Sequence, residues 1–332
     1  MIEKKVVSII KKFTSSILAN SLNQGEAEKR LNEIHTHFQQ ITKITGFDFE
    51  IEHLAAIPTA KGKALGLNHA AQCLIDYKRT VKFLKAIVAA IRAEQKAKPG
   101  VVINVFYAGC GPYAPFITLV APHFKEGEVQ FSLLEINKKS LDSAKKLINS
   151  LGLSNYIQEY YLADAVTFKV PKPEVFHILI SETLDALLYR ECYVPILFNL
   201  LTQFNKNIIL IPENVLINLS LISCSKENQD YKEYEVGAIL NVRESLTTFA
   251  GVRLAPSHLP DKEIDLNALN LSSYEKILLD TKVHIYNDIW LDRNESQLTV
   301  PLEIILEQPF LYKSIIFTYC LEPEIELKCK FQ

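Results

Sequence analysis

Between residues 99 and 211 the chain alternates short apolar runs with helix-patterned stretches, and nearly every run stops at a glycine or an acidic residue. Val101 to Tyr107 ends at Ala108-Gly109-Cys110-Gly111, Val129 to Leu134 at Glu135, Tyr156 to Leu162 at Asp164, and Val175 to Ile180 at Ser181-Glu182; Ile208 to Ile211 makes a fifth run. Between them, Pro115 to His123 predicts a short helix, and Lys138 to Ser150, broken by Gly152, an amphipathic one. Short apolar runs separated by helices are strands of a parallel sheet covered on both faces. The expected class is therefore α/β, with a Rossmann-like sheet over 99–211.

The flanks have other periods. Residues 1–98 read as an N-terminal helical region. Ile2, Val6, Ile9, Ile10, Phe13, Ile17 and Leu18 share one helical face, and Lys4, Lys5, Lys11 and Lys12 lie around it. Such a helix covers a core and keeps its lysines wet. A second helix is expected over Glu26 to Thr42, a loop over Pro58 to Asn68, and a third helix from His69 to Gln95, stopped by Pro99-Gly100. Residues 212–332 read as a C-terminal antiparallel β domain, a barrel or sandwich. Its strands are expected at Val215–Ser223, Tyr234–Val242, Lys276–Tyr286, Leu298–Leu306, Ser314–Leu321 and Ile325–Phe331.

Charge narrows the partners. With 36 basic against 38 acidic side chains, the net charge of −2 gives no electrostatic reason to bind nucleic acid or an anionic membrane. Cysteines at 73, 110, 192, 224, 320 and 329 form neither CxxC nor zinc-finger spacings, so no metal site is expected and reduced thiols are. No secretory leader or membrane span is recognisable. These features together give a cytoplasmic protein as the expectation.

Glycines after a first parallel strand let a backbone approach a ligand closely, and an acid ending the second strand can accept from ribose hydroxyls. Gly109, Gly111 and Glu135 have that arrangement, which dehydrogenases share. Two details separate this chain from them. Ala114 stands where the third glycine of GxGxxG would be, and Asp164-Ala165 adds an acid after the third strand. That pattern suits a nucleoside whose adenine amine needs an acceptor, with no pyrophosphate to cradle. The plain alternative for Glu135 and Asp164 is a surface charge at a strand end.

The segment Ile103 to Gly111, with Glu135 and Asp164, resembles the cofactor loops of class I S-adenosylmethionine-dependent methyltransferases. The resemblance implies that Ala108, Gly109 and Gly111 meet the methionine part of S-adenosylmethionine, Glu135 the ribose, and Asp164-Ala165 the adenine. Ser181-Glu182-Thr183-Leu184-Asp185-Ala186-Leu187-Leu188-Tyr189-Arg190-Glu191 resembles the double-E loop of protein arginine methyltransferases, with the family's spacing between Glu182 and Glu191. Nine positions on one helix are two and a half turns, so these carboxylates converge only if the chain loops back. Paired carboxylates suit a guanidinium, which they grip bidentately and polarise toward a methyl donor. Otherwise Glu191 is a solvated helix residue. Asp76-Tyr77-Lys78-Arg79-Thr80 resembles the family's Asp-x-x-Arg-Thr segment, which implies that Arg79 binds the cofactor carboxylate. His69, just upstream, is a candidate for the site wall or a helix cap.

Two features depart from the family. Trp290, the one tryptophan, has no histidine before it where the family has Thr-His-Trp, and the long helical N-terminus differs from the usual lead-in. The reading is a methyltransferase with Glu182 and Glu191 catalytic and a nitrogen acceptor, the guanidine or amine of a peptide or small metabolite. A small-molecule O-methyltransferase and a non-catalytic nucleotide- or partner-binding protein stay open beside it. The family resemblance also implies a homodimer.

Overall fold

The computed structural model describes residues 2–224, 231–249, 256–267, 269, 274–307 and 312–332. The side chains at 2–4, 224 and 231 lie outside that description, so the expected face of the first helix is followed from Val6 onward and the Cys224 thiol is not placed.

Helix α1 (Ile2–Leu18) buries Val6, Ile10, Phe13 and Ile17 and leaves Lys5, Lys11 and Lys12 exposed. Helix α2 (Gln24–Thr42) starts at a capping box, in which the Asn23 side chain accepts from the Glu26 N–H and Glu26 reaches back. A one-turn helix α3 (Ile51–Leu54) follows, then a hairpin of strands β1 (Ile57–Pro58) and β2 (Lys63–Ala64) inside the expected loop. The single helix expected over 69–95 is instead two. Helix α4 (Leu67–Gln72) passes through a 3-10 turn at Cys73–Ile75, and α5 (Tyr77–Ala97) starts afresh. Asp76 causes the break. Its ψ of 86° is non-helical, and its carboxylate accepts from Ser296 Oγ at 2.5 Å and the Gln297 N–H at 3.1 Å, tying the start of α5 to the C-terminal domain.

The central sheet contains β3 (Ile103–Ala108), β4 (Val129–Glu135), β5 (Ile157–Leu162), β6 (Ile178–Ser181) and β7 (Ile209–Ile211), all parallel, in the order β5-β4-β3-β6-β7. Helices α6 (Pro115–Thr118), α7 (Lys138–Ser150) and α8 (Tyr193–Leu200) lie in the connections. Strand β6 is wholly buried and β5, at the edge, mostly is not, as burial by crossovers requires. The chain leaves β3 toward β5, then returns to β6 on the other side. The switch point is therefore the gap between the ends of β3 and β6, where sheets of this kind bind ligands.

The C-terminal domain is antiparallel. One sheet orders β12 (Ile289–Leu291), β11 (Lys276–Tyr286), β8 (Asn214–Cys224) and β9 (Tyr231–Asn241), with β13 (Leu302–Ile305) also on β11; another orders β10 (Lys262–Asp265), β14 (Ser314–Cys320) and β15 (Glu326–Phe331). Helix α9 (Val242–Thr248) follows β9. The strand expected from Leu298 begins at Leu302, because Gln297–Thr299 forms a 3-10 turn capped by Ser296. Among the described residues no helix is long and apolar enough to cross a membrane.

Phe106 anchors one face of the central sheet, fully buried, with the rings of Phe176 at 5.2 Å and Phe204 at 5.5 Å, and Tyr161 and Phe168 at 6.2 and 6.3 Å. Cutting Phe106 to alanine leaves a cavity that this cluster cannot fill. Urea unfolding of Phe106→Ala should show a loss of about 3–5 kcal/mol; a loss below about 1 kcal/mol would mean the cluster is not core.

Candidate active site

Strand register assembles the site. Ala108 pairs with Leu134 on one side and with Ser181 on the other, so the next residues, Gly109, Glu135 and Glu182, leave the sheet side by side. Glu135 is level with Leu162, and Asp164 follows two positions on. One cavity at this edge is lined by Arg79, Gly109, Gly111, Glu135, Asp164, Ala165, Glu182 and Glu191. Ala108 is fully buried beneath it as the last residue of β3, and the exposed His69 lies outside its wall. Among the described residues no group of three or more His, Cys, Asp or Glu is arranged to hold a metal.

The glycine turn is held from β4. Gly109 donates to Leu134 O at 2.8 Å, and the Gly111 N–H donates to Glu135 Oε2 at 2.8 Å. Gly109 has φ +74°, and a Cβ there would lie 2.5 Å from Thr183 Cγ2. Only glycine therefore lets the first turn and the acidic loop approach each other. Glu135 Oε1 also accepts the Asn137 N–H at 2.9 Å. Burial pushes this carboxyl above its ordinary value, with those backbone donors opposing. Asp164 is similarly engaged, by the Val166 N–H at 2.9 Å and the Ala60 N–H at 2.6 Å. Cys110, also in the wall, is a buried thiol whose pKa burial raises well above normal, so it is no nucleophile.

The acidic stretch loops back. After Glu182 the chain makes a 3-10 turn at Ala186–Leu188, in which Leu187 and Leu188 have φ of 58° and 53°. Left-handed leucines are strained and persist only where neighbours hold them. The Leu187 N–H donates to Thr281 Oγ1 at 2.8 Å, and the Tyr319 hydroxyl donates to Leu188 O at 2.7 Å. Asp185 closes the loop, accepting from the Arg190 N–H at 2.8 Å and the Glu191 N–H at 3.4 Å. Sequence reading missed Thr281 and Tyr319, because nothing local marks a strand residue that supports a distant loop.

Arg79, from α5, forms a buried ion pair with Glu182; both side chains are 7% exposed. Burial works against the Arg79 charge, but Glu182 outweighs it, so the guanidinium stays cationic. Burial holds the Glu182 carboxyl above its ordinary value despite Arg79. Glu191 is pushed up to about 8, by burial first and then by Asp185, with Arg79 opposing and Glu182 adding to the rise. The wall thus offers one guanidinium, an ion-paired carboxylate and a second carboxyl that changes protonation near neutral pH.

No family model matches the chain, and no curated protein does. Solved structures are similar to it. Arabidopsis thaliana protein arginine methyltransferase 10, in an open conformation, matches with a TM-score of 0.52 and 13% identity over 80% of this chain and 97% of its own. The chain has the fold of the protein arginine methyltransferases. The Trypanosoma brucei PRMT1 enzyme–prozyme heterotetramer with AdoHcy matches 78% of this chain and 95% of its own, at 10% identity and a TM-score of 0.46. At these identities the likeness to arginine methyltransferases is one of fold alone.

The raised pKa of Glu191 links the site to stability. The fold favours the protonated carboxyl, so this contribution is complete below the ordinary value of 4.5 and is lost as pH rises through about 8. Glu191→Gln keeps a neutral side chain at every pH. Its melting temperature relative to the wild type should therefore rise steadily from about pH 5 to about pH 8.5. A pH-independent difference in scanning calorimetry would contradict the shift.

Proposed function

We propose that the chain is an S-adenosylmethionine-dependent methyltransferase acting on a nitrogen acceptor, the guanidine or amine of a peptide or small metabolite. The observation that carries this reading is the return of Glu191 to the cavity wall that holds Glu182, on the same sheet edge as Gly109, Gly111 and Glu135. The donor set fits the cofactor: a close-approach glycine turn, a carboxylate for the ribose, Asp164 for the adenine amine, and Arg79 for the amino-acid carboxylate. When bound, S-adenosylmethionine supplies the methyl group as a sulfonium and keeps the C–S electron pair as the thioether.

The protein's part is placement and charge. A guanidinium already fits Glu182 here, since Arg79 presents one. Glu182 and Glu191 would hold the acceptor's donor edges, directing one nitrogen at the methyl carbon. Glu191, whose carboxyl ionises near 8, takes the proton that the nitrogen loses once the N–C bond forms. Residues 99–211 act as the cofactor domain, with 1–98 as a helical cover and 212–332 supporting the loop. The reading carries a cytoplasmic setting and a second copy of the chain as its expected partner.

A second reading has its own support. With Glu182 paired to Arg79, Glu191 alone is without an ion-pair partner among the cavity carboxylates that face an acceptor. A single base of raised pKa suits a neutral hydroxyl acceptor, which makes the chain an O-methyltransferase.

Thermal-shift titration should show stabilisation by S-adenosylhomocysteine and none by NAD. Methyl transfer from labelled S-adenosylmethionine should then reach an arginyl peptide or an amine in preference to phenols and alcohols. Glu191→Gln should lower kcat by about 10²-fold or more and leave S-adenosylhomocysteine affinity little changed. Stabilisation by NAD alone overturns the cofactor, and transfer to hydroxyls alone overturns the nitrogen acceptor.

A further inference from the structure

The β1–β2 hairpin touches Asp164, the peptide unit between Arg190 and Glu191, and Glu322 of the C-terminal domain. Its two strands have only two paired positions, Ile57 with Ala64 and Pro58 with Lys63. Its tip is organised by Thr59, whose N–H donates to Gly62 O at 3.2 Å and whose hydroxyl donates to Lys61 O at 2.8 Å. A hairpin this short is not stable alone, so its outside contacts fix its place.

Those contacts are specific. The Ala60 N–H donates to Asp164 Oδ2 at 2.6 Å, at the adenine end of the cavity. The Lys63 N–H donates to Arg190 O at 3.3 Å, and Lys63 pairs with Glu191 as an isolated parallel bridge. The peptide unit leading into Glu191 is therefore held on its carbonyl side by the hairpin and on its N–H side by Asp185. Lys61 Nζ meets Glu322 at 2.8 Å in the C-terminal domain. Gly62 allows this fit. At φ +86°, a Cβ there would lie 2.5 Å from Ile325 Cδ1 and 3.1 Å from Arg190 O. The isoleucine tip can move, but the backbone oxygen and the left-handed φ leave no room for a side chain. Thr59, Ala64 and Leu65 also line the cavity, so a nucleoside inside it meets the hairpin directly.

Resting on the function proposed above, we infer that this hairpin is a positioning element that couples the adenine end of the cofactor site to the placement of Glu191. An exocyclic amine donating to Asp164 fixes that carboxylate, and with it the acceptor of the Ala60 N–H. The ordered hairpin then holds the Arg190 carbonyl and the residue that follows it. By linkage, a well-placed Glu191 loop strengthens nucleoside binding by the same factor.

Hydrogen exchange tests this without knowledge of the methyl acceptor. Saturating S-adenosylhomocysteine should slow amide exchange at 60–63 and at 190–192 together in the wild type, by at least about fivefold. Gly62→Val should still bind S-adenosylhomocysteine in a thermal-shift assay and slow exchange at 109–111, yet lose the slowing at 190–192. Glu322→Ala, which removes only the Lys61 anchor, should weaken the slowing at 190–192 with the overall melting temperature unchanged; this arm decides the matter if Gly62→Val does not fold. Full slowing at 190–192 in the folded variants, or slowing confined to 60–63 in the wild type, reduces the hairpin to a cover and overturns the inference. Absence of S-adenosylhomocysteine binding to the wild type is a different failure: it removes the cofactor reading, and the inference falls with it.

Discussion

Among the described residues, Arg79 is the sole cation lining a cavity that also presents Glu135, Asp164, Glu182 and Glu191. Burying carboxylates is expensive unless each is paired, hydrogen-bonded or protonated, and each of these four takes one of those routes. Glu135 and Asp164 accept backbone N–H groups, Glu182 pairs with Arg79, and Glu191 shifts its pKa upward. The acidic side chains outnumber the one cation in this lining, so its potential is negative. It favours ligands that bring positive charge, and a sulfonium and a guanidinium or ammonium are both of that kind. Under the proposed function, the charge balance would tie cofactor and acceptor to one physical cause. A hydroxyl acceptor draws less from it, since it brings no charge and needs only the base.

The sheet and the C-terminal domain divide the work of building this wall. Parallel pairing sets Gly109, Glu135 and Glu182 in a row, and no loop geometry is needed for that. Glu191 is different, because it lies on the far side of two left-handed leucines. Thr281 on β11 and Tyr319 on β14 hold those leucines, one through an N–H and one through a carbonyl. Removing the C-terminal domain would leave the row of Gly109, Glu135 and Glu182 formed and would take away the contacts that hold the two leucines. The β domain thus helps to build the cavity wall.

How much could be read beforehand follows from how local each determinant is. The strands of the central sheet, their acidic ends and the glycine turn were legible, because a buried parallel strand writes itself as an apolar run and the ligand edge is where the run stops. The loop-back between Glu182 and Glu191 was legible from helical geometry, given that both carboxylates had a common target. The break at Asp76 was not, because Leu74, Tyr77 and Val81 keep an apolar rhythm across it and the cause is a hydrogen bond to Ser296, 220 positions away. The β1–β2 hairpin was hidden for the same reason: two-residue strands carry no pattern, and its anchors at Asp164, Arg190 and Glu322 are all remote. The ion pair of Arg79 with Glu182 was not legible either, because the two residues are remote in sequence and meet only when α5 packs against the end of β6.

Trp290 has a histidine as its neighbour in space. No histidine precedes it in sequence, but His284 on β11 lies opposite it in the β11–β12 pairing, with ring centroids 4.1 Å apart and planes 8° apart. Lys282 Nζ lies 5.4 Å from the centroid of the indole, and Lys82 of α5 donates to Trp290 O at 2.6 Å. This stack lies outside the cavity wall, so the tryptophan fastens α5 to the β domain. The neighbouring turn does the same through Ser296 and Gln297 at Asp76, and through Glu295 at Lys82. Four contacts, two at Asp76 and two at Lys82, fix the N-terminal turns of this helix, and Arg79 projects from those turns toward Glu182. The orientation of the one cation in the cavity is therefore set by the β domain, as is the position of Glu191. Under the proposed function, Arg79 toward the cofactor carboxylate and Glu191 toward the acceptor would both depend on contacts made from outside the central sheet.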